Sequence, residues 1–365
     1  MKIAQVAPLM ESVPPKLYGG TERIVSYLTE ELVRRGHRVT LFASGDSVTR
    51  AQLRPACARA LRLEGSRIVD PLALHLRMVE MVAQAADEFD LVHFHIDYLH
   101  FPITRRQHIP ALTTLHGRLD IPELVPLYRD FQDMNLVSIS NSQRAPLAWA
   151  RWVATVYHGL PEDLFPARET PGKYLAFLGR ISKEKRVDRA IEIARLAGMP
   201  LKIAAKVDPV DQEYFDCEIR RLLDDPLVEF IGEINEEQKA EFLGNARALL
   251  FPIDWPEPFG LVMIEAMACG TPVIAFGMGS VPEIIDEGVT GFMVNNVEEA
   301  AGAVNNLDQL DRGVCRKVFE QRFSVRRMVS DYLDVYRRIC DQPGTNGAGP
   351  RARLVRTEQQ LSHAG

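Results

Sequence analysis

Short apolar runs alternate with amphipathic stretches along nearly the whole chain, a pattern that predicts parallel α/β domains. Lys2 to Ala7 reads as a first buried strand, Thr21 to Arg35 as an amphipathic helix ended by Gly36, and Arg38 to Ala43 as a second strand. Leu91 to His95, Ala111 to Leu115, Leu136 to Ile139 and Val153 to Val156 are further strand candidates. Pro161 to Gly172 then has the proline, glycine and charge content of a linker. Beyond it the alternation begins afresh, with strands expected at Tyr174 to Leu178, Leu201 to Ala205, Val228 to Ile231, Ala248 to Phe251 and Pro272 to Ala275. Leu261 to Ala268 reads as a helix that stops at Gly270, and Ser324 to Cys340 as a final helix. The pattern divides the chain into an N-terminal doubly wound domain, residues 1–165, and a second one, residues 172–322. The polar tail 342–365, which opens with a glycine-rich stretch, is expected to be disordered. Two facing domains of this kind bind ligands at the carboxyl ends of their strands, so the expected site is the cleft between them.

Composition narrows the possibilities. A chain of 365 residues is long for a single core and fits two domains. Its net charge of −6 argues against a nucleic-acid binder, which would carry a basic domain. The five cysteines are scattered without a short-spaced pair, as in a reduced protein with ordinary core thiols. No apolar run approaches the length of a membrane span, and Glu11 interrupts the opening stretch, which is too short in its apolar part for a secretory signal. A cytoplasmic protein is expected.

The stretch WPEPFGLVMIEAMACGTPVIAF carries the most chemistry. Pro256, Pro258 and Gly260 prevent regular structure before Leu261, which puts Glu257 on a loop above a helix N-terminus and Glu265 about one turn inside that helix. The first N–H groups of a helix lack intrahelical partners and favour an anion, whereas carboxylates favour hydroxyl groups. Phosphate in the middle and a sugar at each end describes a nucleotide-sugar. Glu265 lies among residues apolar on every side, so it needs a partner. Arg180 and Lys185 in FLGRISKEKRVD follow a strand and would face the same cleft, where two cations can bind a diphosphate.

EPFGLVMIEAMACGTPVIA, with seven residues between its two glutamates, resembles the retaining glycosyltransferases of the GT-B fold, family 4. YGGTE, LHG and GRISKEK match in order, and the resemblance spans roughly Lys2 to Cys340. It implies two Rossmann-like domains facing across a cleft, with the final helix, about 324–340, crossing back to pack on the first domain. It also implies transfer of a sugar from a nucleoside diphosphate sugar, with retention and without a metal, to an acceptor that the first domain selects. Arg180 and Lys185 would hold the diphosphate, Glu265 the ribose hydroxyls and Glu257 the transferred sugar. Phe259, Gly260 and Leu261 would offer backbone N–H groups. Gly19 and Gly20 would let the first helix approach a phosphate or the acceptor. His116 would lie beside the transferred sugar, its carbonyl steadying the oxocarbenium-like state, and Lys206 is a further candidate contact. Backbone groups near Phe230 to Glu233 are expected to read the base. Where the family usually has glycine after the lysine, this chain has Arg186, so a different local turn is expected.

Several other features have competing readings. VHFHIDYLH invites a metal site, but the family needs none and no Asp-x-Asp occurs, so His95, Asp97 and Tyr98 are better candidates for an acceptor pocket. Asn141 and Ser142 read as a helix cap rather than acceptor contacts, and GSVPEII (Gly279 to Ile285) as structural. Trp149 and Trp152, beside Arg144 and Arg151, could touch a membrane surface holding a lipid-linked acceptor, but a partly buried helix face is preferred. A phosphorylase, an epimerase or a non-catalytic sugar-nucleotide-binding protein are the alternative functions. The acceptor, the donor base and sugar, and the oligomeric state stay open.

Overall fold

The computed structural model describes residues 1–16, 19–64 and 69–341. Tyr18 of the YGGTE stretch and the tail from Gln342 lie outside the described residues.

Among the described residues thirteen strands form two all-parallel sheets. The first contains β1 (Lys2–Val6), β2 (Arg38–Ser44), β3 (Gln52–Cys57), β4 (Leu91–Phe94), β5 (Ala111–Thr114), β6 (Leu136–Ser138) and β7 (Trp152–Thr155), ordered β3-β2-β1-β4-β5-β6-β7. The second contains β8 (Leu175–Arg180), β9 (Leu201–Lys206), β10 (Val228–Gly232), β11 (Ala248–Phe251), β12 (Val273–Phe276) and β13 (Gly291–Val294), ordered β10-β9-β8-β11-β12-β13. Helices cover these sheets, so the central strands β4, β5, β11 and β12 are buried throughout; β11 and β12 read as unbroken apolar runs, while β4 and β5 also bury His93, Thr113 and Thr114. Strand order reverses beside β1 in one sheet and beside β8 in the other, and these reversals open crevices at the carboxyl ends of the strands.

Two strands escape the sequence pattern. β3 is an edge strand in which Gln52, Arg54 and Pro55 are tolerated because its outer side needs no partner. β13 is four residues long and begins at Gly291, whose Cβ would sit 2.0 Å from the Val273 carbonyl oxygen. Close backbone approach demands glycine there and hides the strand signal.

The final helix, Val325–Cys340, starts at the Ser324 cap and packs on the first domain. Arg35, just past the helix Gly20–Arg34, donates to Ser330 Oγ at 2.9 Å and to the Arg326 carbonyl at 2.6 Å. Tyr332 and Tyr336 are fully buried in an apolar cluster that also holds Ile3, Ile24, Phe259 and Met263. Pro161 to Gly172 is no free tether. Arg316 donates to the carbonyls of Glu162 and Phe165, and Arg312 to that of Arg168. Among the described residues no helix is long and apolar enough to cross a membrane.

Candidate active site in the interdomain cleft

A cavity of about 570 Å³ lies between the two domains. It is lined by Gly19, Gly20 and His116 on one side and by Arg180, Lys185, Lys206, Glu257, Phe259, Gly260, Leu261 and Glu265 on the other. Eleven residues singled out in the sequence therefore share one cavity.

The donor-side geometry is built on the helix Leu261–Ala268, which begins where Gly260 takes a left-handed conformation, φ 80°. A side chain there would also meet Met263 Cε at 2.7 Å. Glu257 is held from behind by GSVPEII. The Ser280 N–H donates to the Glu257 carbonyl at 3.0 Å, and Ser280 Oγ to that of Phe259 at 2.8 Å. A Cβ on Gly279 would lie 2.4 Å from the Glu257 nitrogen. The stretch is structural, and what it supports is the glutamate loop. In front, the Lys185 ammonium pairs with the Glu257 carboxylate, which also accepts from Trp255 Nε1 at 2.9 Å.

Arg180 ends β8 and Lys206 ends β9, and the two are register partners, so their cations stand side by side at the sheet's carboxyl edge. Lys206 pairs with Asp208 at 2.8 Å, and Arg180 lies 3.3–3.7 Å from Glu184, Asp208 and Asp211. Glu265 is nearly inaccessible, and its partner is Lys239, whose ammonium donates to Oε1 at 2.9 Å. Lys239 is also 3.6 Å from Glu236, which pairs with Arg23 of the first domain at 2.5 Å. A chain of charges thus reaches from Glu265 across the cleft to the helix Gly20–Arg34. The N-termini of that helix and of Leu261–Ala268 approach each other, for a Cβ on Gly20 would be 3.5 Å from Leu261 Cδ1.

His116 follows β5 and carries a second histidine that the sequence reading missed. The His158 ring stacks on it at 5.3 Å and 14°, and meets Phe259 edge-on at 4.8 Å. Both imidazoles are pushed down by burial, His116 to about 3. His158 carried no signal beyond its place after β7 at the carboxyl edge.

The remaining candidates take other places in the structure. His95, Asp97 and Tyr98 do not line the cavity: His95 is buried beneath it, bonded to Gln5 and His116, and the other two are exposed. Among the described residues no cluster of histidine, cysteine and carboxylates is fit to hold a metal. The helix cap is Ser140, whose side chain accepts from Gln143 N–H, and not Asn141 or Ser142. Those two donate their backbone N–H groups to Glu283 of the other domain. Trp152 begins β7 and Trp149 lies in a turn, so the pair forms no helix face. Arg186 takes the left-handed conformation, φ 53°, that glycine adopts without cost, so the side chain changes and the backbone stays glycine-like. Its guanidinium is held by Asp188 at 2.7 Å and Asp254 at 2.8 Å.

Comparison with known proteins matches residues 163–312 to the family described as "Glycosyl transferases group 1" and residues 18–158 to "Glycosyltransferase Family 4". The N-acetyl-alpha-D-glucosaminyl L-malate synthase of Bacillus anthracis is 24% identical over 87% of this chain and 93% of its own. Some other curated relatives match over shorter stretches, the chain spanning 46% of the length of a 41.2 kDa protein of the Klebsiella pneumoniae cps region and 47% of the alpha-maltose-1-phosphate synthase of Mycobacterium tuberculosis. Among solved structures, AviGT4, a glycosyltransferase involved in avilamycin A biosynthesis, superposes with a TM-score of 0.72 at 23% identity, covering 94% of this chain and 99% of that one. HepE of Anabaena, in complex with UDP and glucose, gives 0.71 at 19% identity, covering 93% of this chain and 100% of HepE. Both share the fold of two facing parallel-sheet domains.

Proposed function

The chain belongs to the GT-B glycosyltransferases of family 4, and on that premise we propose that it moves a sugar from a nucleoside diphosphate sugar to a hydroxyl of a sugar, lipid-linked or small-molecule acceptor, with retention of configuration, in the cytoplasm. The observation that carries this reading is the placement of Lys185 and Glu257 together before the N-terminus of Leu261–Ala268, with Glu265 inside the same helix.

In this reading the diphosphate takes the place between Arg180, Lys185 and Lys206, close to the first N–H groups of the helix. Those cations receive the charge that develops as the sugar–phosphate bond breaks. Glu265 accepts the ribose hydroxyls and Glu257 those of the transferred sugar. The departing diphosphate oxygen takes the acceptor proton on the same face of the sugar, so no protein carboxylate needs to be a nucleophile. The reaction written this way requires no metal ion. His116 and His158 wall the acceptor side, and closure of the cleft keeps water from the donor. HepE was crystallised with UDP-glucose, which supports a donor of this chemical class.

The test is release of nucleoside diphosphate from a panel of nucleotide-sugars, with and without acceptors and with a chelator. Acceptor-dependent release that survives the chelator is expected. Arg180→Ala and Lys185→Ala should each lower kcat by on the order of a hundredfold, the scale for losing one charge-stabilising donor. Near-normal turnover in both would sink the diphosphate role, and isomerised or phosphorolysed donor would identify an epimerase or a phosphorylase instead.

A further inference from the structure

Beneath the acceptor wall runs a continuous chain of buried polar groups. His116 Nε2 lies 2.9 Å from His95 Nδ1, and His95 Nε2 lies 2.9 Å from Gln5 Oε1. Gln5 Nε2 is 3.2 Å from Tyr336 Oη, which is 2.8 Å from His93 Nδ1. His93 Nε2 is 2.7 Å from Thr114 Oγ1, which is 3.0 Å from Tyr332 Oη. Gln5, His93, His95, Thr114, Tyr332 and Tyr336 are at most 2% exposed.

The direction of the bonds between Gln5 and His116 follows from the orientation of the Gln5 amide. The Gln5 amide gives its oxygen to His95, so His95 Nε2 must carry the hydrogen. Burial holds His95 well below the usual imidazole range and keeps it neutral, which leaves its Nδ1 as an acceptor. His116 Nε2 must then be the donor to that nitrogen, and neutral His116 is left with a lone pair on Nδ1. On the far side the amide nitrogen donates to Tyr336 Oη. A second observation agrees with this direction. His116 Nδ1 is buried and has no hydrogen-bond partner among the described residues. An unpaired lone pair there costs less than an orphaned N–H, which the opposite direction would leave in the same place.

We propose that Gln5 and His95 are positioning residues that lock His116 in its Nε2–H tautomer, so that Nδ1 is kept as a hydrogen-bond acceptor for a substrate hydroxyl at the cleft. The proposal rests on the transferase reading only for the identity of that hydroxyl. Because Tyr332 and Tyr336 belong to the helix that arrives from the second domain, the lock is complete only when that helix is docked. Gln5 and His95 do not themselves touch the ligand.

Nitrogen-15 NMR of the imidazoles reads the tautomer in the free protein. His116 is expected as the Nε2–H form throughout the neutral range. Gln5→Leu removes the acceptor of His95 and should leave His116 as a mixture of both tautomers. Gln5→Glu, which still accepts from His95, should restore the Nε2–H form. In the UDP-glucose hydrolysis assay Gln5→Leu is expected to lower kcat about tenfold with KM little changed, and Gln5→Glu to recover it. An Nδ1–H tautomer in the parent protein, or an unaltered tautomer in folded Gln5→Leu, would overturn the assignment. A tautomer mixture with unimpaired turnover would overturn the positioning role. Since the spectra need no substrate, an inactive protein with an ordered His116 tautomer would count against the proposed function and leave this lock standing.

Discussion

The Ser142 backbone N–H in the first domain donates to Oε1 of Glu283 in the second at 2.7 Å. The same carboxylate accepts from Asn141 N–H at 2.7 Å, from Asn141 Nδ2 at 3.0 Å and from Tyr157 Oη at 2.9 Å. Beside it, Ser140 Oγ donates to the Pro258 carbonyl at 2.7 Å, next to Glu257. This clasp ties the first domain to the loop that carries the site. Glu283→Ala should cost about 2 kcal/mol, because three N–H donors and the Tyr157 hydroxyl lose a charged acceptor. Urea denaturation reads the loss, and small-angle scattering should show a wider cleft. An unchanged midpoint would mean that the clasp holds nothing.

Glu265 and Lys239 form the buried pair that receives the ribose in the proposed complex. Glu265→Ala should weaken nucleotide-sugar binding by about tenfold or more, since it removes a charged acceptor for two hydroxyls. Lys239→Met should also weaken binding, because the carboxylate loses the cation that orients it. Titration calorimetry with the preferred donor measures both. Equal affinity in Glu265→Ala would remove the ribose from this position.

Arg186 separates backbone from side-chain effects. Arg186→Gly keeps the left-handed conformation and should leave kcat within about twofold, its lost ion pairs being partly exposed. Arg186→Val must force a β-branched side chain into that conformation and should destabilise the protein by about 1–3 kcal/mol. Thermal unfolding of the two variants side by side decides this. Equal midpoints would show that the conformation is not required.

Burial pushes the imidazoles of His93, His95, His100 and His158 well below their ordinary range, and that of His116 to about 3. The unfolded chain takes up these protons near pH 6.5 while the native state does not. Stability is therefore fully present above that pH and falls as pH drops toward the native values, by up to about 1.4 kcal/mol per pH unit for each histidine. Acid unfolding should begin between pH 6 and pH 5, roughly, ahead of most carboxylate titration. Circular dichroism against pH measures it, and His100→Gln should shift the transition to lower pH if the variant folds. A chain that stays folded through pH 4 would contradict this, given the size of the summed term, about several kcal/mol.

The sequence determined the local architecture and the chemical inventory. Leu261–Ala268 is legible residue for residue because Pro258 bars regular structure before it, Gly260 and Gly270 allow the left-handed turns at its ends, and an apolar run fills it. Arg180, Lys185 and Lys206 are legible because strand ends in parallel sheets point at a common crevice. β3 and β13 are not, since one is a polar edge and the other begins on a glycine packed against β12. The partnerships are likewise invisible in the chain. Lys239 reaches Glu265 from 26 residues away, Glu283 reaches Ser142 from 141, and His158 meets His116 through a stack that no periodicity encodes. Propensity and burial period are properties of neighbouring residues. Which polar group satisfies which is settled only when strand order and domain contact bring distant residues within hydrogen-bond reach, and tertiary structure alone decides that.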